Sequence, residues 1–266
     1  MIRCLNYSFI ALYREMRASC PYLAHKVTNF IPIFGNKKII TFAFSKKNFH
    51  FIMTLNKLFL TLLAAATLAS AAAQDIDLPA PSRTGGSSVM EAFWQRQSVR
   101  DFAPDSLSLQ DLSDLMFAAQ GINRPESAHI TAPSAMNKQE VDLYVFLPGG
   151  VYLYDKAAHR LVQRADSDER ALVAGFQDFV KTAPVVLVLV ANLERFGQYD
   201  SFAMNMVCVD TGIVAQNINL FCAGRGLGSV PRALMSTKEI SQRLGLSDME
   251  VPIMNVVLGY PKKPAK

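Results

Sequence analysis

The sequence predicts an α+β domain, and three observations predict it. Three β-type runs, "VDLYVFLP", "VYLYD" and "RLVQRA", follow one another with a Gly149-Gly150 turn between the first two, the punctuation of hairpins. "PVVLVLVA" is apolar throughout and of strand length, as a central strand buried on both faces would be. "SFAMNMVCVDTGIVAQNINLFCAGRG" is long and apolar nearly all round, which places a helix at the middle of the molecule or at a subunit interface. Hairpin-linked strands mixed with helices argue against a doubly wound nucleotide fold.

The N-terminal part stands apart. Residues 1–73 hold nine of the 27 Lys and Arg residues and one of the 22 acids. The remaining 18 bases and 21 acids give the body of the chain a net charge of −3, so the overall +5 belongs to the leader and excludes a nucleic-acid reading of the fold. "MTLNKLFLTLLAAATLASAAAQ", from Met53, has the layout of a cleavable secretory signal: a basic start, a short apolar run and small residues before Gln74. The apolar run is short for a membrane span. Met53 is therefore expected to be the true start, 1–52 an over-extended N-terminus, 53–73 a signal segment, and the mature protein exported, with no stable membrane insertion after cleavage.

The elements follow in order. The Pro- and Gly-rich stretch 74–87 reads as a linker or arm, and 88–266 as the folded domain. "SVMEAFWQRQ" is a short helix. Ser108 caps a second helix whose apolar face is Leu109, Leu112, Leu115, Met116 and Ala119, ending at Gly121. A polar loop, "INRPESAHITAPSAMNKQ", leads into the three strands; "ERALVAGFQDFV" is a helix before the apolar strand. After the long helix, "GLGSVPRALM" is a turn with a short extended piece. Ser236 and Glu239 form a capping box for a helix stopping at Gly245, and "VPIMNVVLGY" is a last buried strand. Cys208 and Cys222, 14 residues apart on one helix, would lie ~21 Å apart, beyond the ~7 Å a disulfide tolerates. His129 and His159 read as surface residues, and no Cys/His cluster has metal-ligand spacing.

One stretch asks for a ligand. In "RQSVRDF" (96–102), Arg96, Ser98 and Arg100 alternate, which aims three polar donors to one side of an extended chain. Such a fork is a solvated edge strand or a grip on an anion such as phosphate.

Arg-x-Ser-x-Arg-x-Phe is followed by an amphipathic helix, then by "PSAMNKQ" (133–139) and by "AP" with an apolar strand (183–190). "DTGIVAQNINLFCAGRGLGSVP" (210–231) and "LGYP" (258–261) complete the series. In that order the chain resembles the FMN-dependent nitroreductase family over roughly 88–263. "GVYLYDKAAHRLVQRAD" (150–166) is similar to a hairpin insert of the branch that includes azoline-oxidising peptide dehydrogenases. The resemblance implies a central, mostly antiparallel sheet flanked by helices, a long interface helix, and a homodimer with two FMN sites at the subunit interface.

The resemblance also implies roles. Arg96 and Ser98 face the phosphate and ribityl end, where a planar guanidinium grips a phosphate bidentately. Arg100 reaches the pyrimidine edge near N1, where reduced flavin is anionic. Asn137 is the flavin-contacting asparagine and Gln139 a second polar contact; Glu140 and Val141 then stand where relatives often carry proline and an aromatic. Ala233 and Leu234 offer backbone N–H groups to N5 and O4, in place of an acidic residue and glycine. Lys262 and Lys263 close over the phosphate. The implied function is an oxidoreductase that passes electrons from NAD(P)H or another donor through FMN to a small organic acceptor. No catalytic side chain and no metal ligand is required of the protein. Export leaves two rivals: a non-catalytic flavin-binding or flavin-scavenging protein, and a member that acts on its own flavin or a bound peptide.

Overall fold

The computed structural model describes residues 74–262. The readings of 1–52 and 53–73, and Lys263, lie outside the described residues. Seven strands form one sheet: β1 (Ile76–Asp77), β4 (Val141–Leu147), β5 (Gly150–Asp155), β6 (Arg160–Ala165), β7 (Val185–Asn192), β8 (Gly228–Arg232) and β9 (Glu250–Gly259). Their order is β1-β6-β5-β4-β7-β9-β8, and every neighbouring pair is antiparallel. The loop before β4 adds a small hairpin, β2 (Ile122–Arg124) and β3 (His129–Ile130).

Alternation along β7 builds the layers. Val185, Leu187 and Leu189 face a core shared with α2 (Leu109–Gln120) and α5 (Ser201–Gly224). Val186, Val188 and Val190 face a second core with α3 (Arg170–Ala174), α4 (Phe179–Thr182) and α6 (Thr237–Leu244). Burial on both faces is why β7 carries no polar residue before Asn192. Each fully buried Val or Leu contributes roughly 1.5–3 kcal/mol.

α2 begins as expected, with the Ser108 hydroxyl accepting from the Asp111 amide, and α1 (Val89–Gln95) is capped in the same way by Ser88, whose hydroxyl accepts from the Glu91 amide. α5 is capped by Asp200, which accepts from Ala203 N. It is the one described helix long and apolar enough by composition to cross a membrane. Here its inner face packs on the sheet, and Asp210 and Asn219 are buried within it.

Several expectations are corrected. The single helix over 169–180 is two, broken at Gly175, whose φ of +57° is a left-handed conformation and whose missing Cβ leaves room for Leu234. The capping box of α6 does not form, because Ser236 makes no side-chain cap; its N–H donates to Leu172 O instead. The extended piece after α5 is a full edge strand, β8, where Pro231 is tolerated because an edge strand has ladder positions that need no N–H. The arm 74–87 docks: Ile76 and Asp77 pair with β6. His159 is partly buried rather than a surface residue. Its ring meets Ser113 Oγ at 2.8 Å, Tyr154 Oη at 2.9 Å and Pro79 O at 3.1 Å, which ties the arm to α2 and β5. Burial pulls its pKa below the ordinary value.

Candidate functional site

The fork is laid down by the end of α1. Arg96 leaves helical geometry, and the chain runs extended beside the open edge of β8. Val99 N donates to Ser229 O at 3.0 Å, and Ser98 forms a single bridge with Ser229. The close approach depends on Gly228, where an added Cβ would lie 2.7 Å from Val99 Cγ1. Phe102 enters the second core, 6.3 Å from the Phe179 ring. Downstream, Lys262 N donates to Asp101 O and Ala103 N to Tyr260 O. Val99 and Phe102 are thus anchors, which leaves Ser98 and Arg100 exposed and Arg96 half-buried.

Arg96 lines a cavity of ≈ 190 Å³ with Gln97, Asn219, Gly228, Ser229 and Pro261. Arg100 lies near enough to Arg232 to oppose its charge. Arg232 was missed in the sequence reading. It is buried, and its guanidinium donates to Gln177 Oε1, Val173 O, Ala174 O and Asn255 Oδ1, all neutral. Burial, then Arg100, lowers its pKa. Among the described residues none of Arg96, Arg100 and Arg232 has a carboxylate within ion-pair range; Lys262 has Asp101 at 3.9 Å, both exposed. The amides of Ala233 and Leu234, just past β8, make no hydrogen bond among the described residues, although Leu234 O accepts from Asn255 Nδ2.

These groups form a track. It begins at Arg96 and Lys262, passes Ser98 beside Ser229 and Arg100 near Arg232, and ends at two free N–H groups. From Ser229 to Ala233 it is four residues, ~13 Å. Arg96, which has no carboxylate partner among the described residues, at one end and free N–H donors at the other fit an elongated ligand with an anionic head and an acceptor edge. A larger cavity, ≈ 550 Å³, lies beneath the arm between Ser82 and Val89 and shares no residue with the track. Arg225 at its wall is paired with Asp111 at 2.6 Å. The fork is the better candidate, because charge without a partner marks a ligand more directly than volume does.

Asn137 and Gln139 are elsewhere. They lie in the loop before β4, three strand spacings from β8, ~14 Å across. Val141 is in register with Ala191 and Ala191 with Val251, whereas Ser229 pairs with Leu258, a further seven residues, ~23 Å along. Within one chain they do not converge on the fork. The loop is strained: Met136, Asn137 and Gln139 have φ of 52°, 54° and 49°, at about 1 kcal/mol or more each. Ser134 Oγ accepts from Gln139 N, Asp210 Oδ2 accepts from Ala135 N at 2.7 Å, and Gln139 Nε2 donates to Ala128 O. Met136 and Asn137 are exposed. Gln139 O accepts from Arg195, which also pairs with Asp142 at 2.6 Å.

Comparison with known proteins bears on this geometry. The Nitroreductase family profile matches residues 94–260. A Methanocaldococcus jannaschii protein provisionally named a nitroreductase is 33% identical over an aligned length of 172 residues, with 61% of this chain and 86% of that one covered. A crystal structure of a provisionally named nitroreductase from Ralstonia eutropha superposes with a TM-score of 0.68 at 36% identity, covering 71% of this chain and 90% of the other. One from Anabaena variabilis, at 21% identity and a TM-score of 0.61, covers 71% of this chain and 42% of its own, and speaks to fold alone.

Proposed function

Because this chain belongs to the nitroreductase family of oxidoreductases, we propose that it binds FMN along the β8 edge and uses it to pass electrons from a donor to a small organic acceptor. The observation that carries the reading is the line of uncompensated cations and free amides from Arg96 to Leu234. Bound there, FMN would supply hydride acceptance and return at its N5.

The chain's own residues supply position and field. Arg96 and Lys262 hold the phosphate, with Ser98 as a hydroxyl donor. Arg100, with Arg232 behind it, sets a positive potential at the pyrimidine edge that favours the reduced, anionic form. The Ala233 and Leu234 amides orient the N5–O4 edge. Asn137 is too far from its own fork, so we assign it to the flavin of a second copy. Exposed apolar side chains support a homodimer: Trp94 is 86% and Val89 68% exposed, with Met90 and Phe93 beside them on α1 and Phe202 and Val209 on α5. The β5–β6 hairpin supports the proposed likeness of 150–166 to the peptide-dehydrogenase branch.

The test is the absorbance spectrum of purified 74–266, followed by steady-state assays with NADH, NADPH and reduced quinones. Flavin bands, FMN released on denaturation and turnover with one donor support the reading. A protein that stays colourless with added FMN removes it, and bound FMN without turnover favours a flavin carrier. Export is proposed from the sequence of 53–73 alone. N-terminal sequencing of the native protein should find Gln74 first, and a mature end before Met53 would contradict it.

A further inference from the structure

Beneath the strained loop 133–139 lies a polar cluster that the proposed reaction does not use. Glu140 is fully buried, and neither of its carboxyl oxygens has a hydrogen-bond donor among the described residues. Asp210 of α5, 6% exposed, lines one small space with it. Gln120, at the end of α2 and 1% exposed, lines the same small space with both amide atoms unpartnered. That space is ≈ 10 Å³, one water at most, and too small for a hydrated cation.

Two buried carboxylates facing one space that holds at most one water, with no hydrogen-bond partner on either Glu140 oxygen, are costly to keep ionised together. A proton on Glu140 makes it an O–H donor toward Asp210 and leaves one negative charge, on the group that holds the loop. That group is Asp210, which accepts from Ala135 N at 2.7 Å. We propose that Glu140 and Asp210 share one proton, and that this proton locks the loop 133–139 with Met136, Asn137 and Gln139 in the left-handed region, making Glu140 a positioning residue for the face that carries Asn137.

The surrounding charges are few. Arg195 faces the pair but is committed to Asp142 and to Gln139 O. Lys156, at the end of β5, donates to Gln139 O at 3.4 Å, and burial, then Arg195, lowers its pKa to about 8. α2 contributes Gln120, the loop Ser134, and β4 Val141, none of them charged. Burial, then Asp210, pushes the Glu140 carboxyl up to about 7. A folded-state value above the ordinary 4.5 means that the protein is favoured by the bound proton. Stability from this group is full below about 4.5 and is lost as pH rises through about 7.

The test compares the full chain with Glu140→Gln, whose amide is a permanent donor of the same shape, and with Asp210→Asn, which still accepts from Ala135 N and donates to an ionised Glu140. Two measurements need no flavin. Melting temperature should fall relative to Glu140→Gln as pH rises between about 4.5 and 7. Exchange of the Ala135 amide, corrected for its intrinsic pH dependence, should accelerate at least several-fold above neutrality in the natural chain and stay flat in both variants. Parallel pH profiles in all three proteins would overturn the proposal, since no shared proton then exists. A third measurement rests on the proposed function: FMN affinity should weaken above neutrality in the natural chain only. If the lock titrates but FMN affinity does not, the lock stands and the placing of the loop at the flavin fails.

Discussion

Arg100 and Arg96 differ in what lies next to them. Arg100 is exposed and sits beside the buried, uncompensated Arg232, so two positive charges act on the same place. Replacing Arg100 with alanine removes the nearer charge. It should lower the flavin reduction potential while weakening FMN binding by less than Arg96→Ala does; Arg100→Lys should keep most of the potential, since the charge remains. A redox titration of the three proteins checks this, and equal potentials would place Arg100 away from the ring. Arg232 is a different case: its four hydrogen bonds hold α3 and β9 together, so Arg232→Ala should cost stability of about 1–3 kcal/mol or more by stranding buried carbonyls. Chemical denaturation of the apoprotein measures that without reference to flavin.

At the scale of elements, the fork is useful only because β8 lets it come close. Gly228→Ala would place a methyl group 2.7 Å from Val99 Cγ1, so the fork must move outward. FMN affinity should drop about tenfold while the far-UV spectrum stays native; unchanged affinity would mean the fork has slack. Likewise, Leu187→Ala in β7, which is 0% exposed, should cost ~2–5 kcal/mol. β7, α2 and α5 were legible in the sequence because burial on two faces, or on one wide face, leaves a pattern in every residue. The break at Gly175 and the failed cap at Ser236 were not, because tertiary contacts override local signals there: Leu234 packs against the glycine, and Leu172 O takes the Ser236 amide. The fork was legible as alternation. Arg232, Glu140 and Asp210 were not, because an isolated charge in a sequence does not tell whether a partner will be found in space.

For the whole molecule, one chain holds the two halves of the proposed site apart: Arg96 and Asn137 are separated by β9, β7 and β4. The proposed function assigns the missing half to a second copy, and light scattering should then find a dimer at micromolar concentration; a stable monomer would contradict it. The division also predicts complementation. Arg96→Ala and Asn137→Ala proteins, each weak for FMN, should regain a fraction of tight sites after subunit exchange, because a mixed dimer has one site with both natural residues; no recovery would put both residues on one subunit's flavin. Whether the fork holds the cofactor is decided by an equilibrium FMN titration of 74–266 beside its Arg96→Ala variant. Loss of one charge-assisted bond costs ~1.5–3 kcal/mol, or about one to two decades of affinity at ~1.4 kcal/mol per decade. One FMN should bind per chain, and Arg96→Ala should weaken it by that factor; FMN that binds both proteins equally, or neither, would rule out the fork as its site.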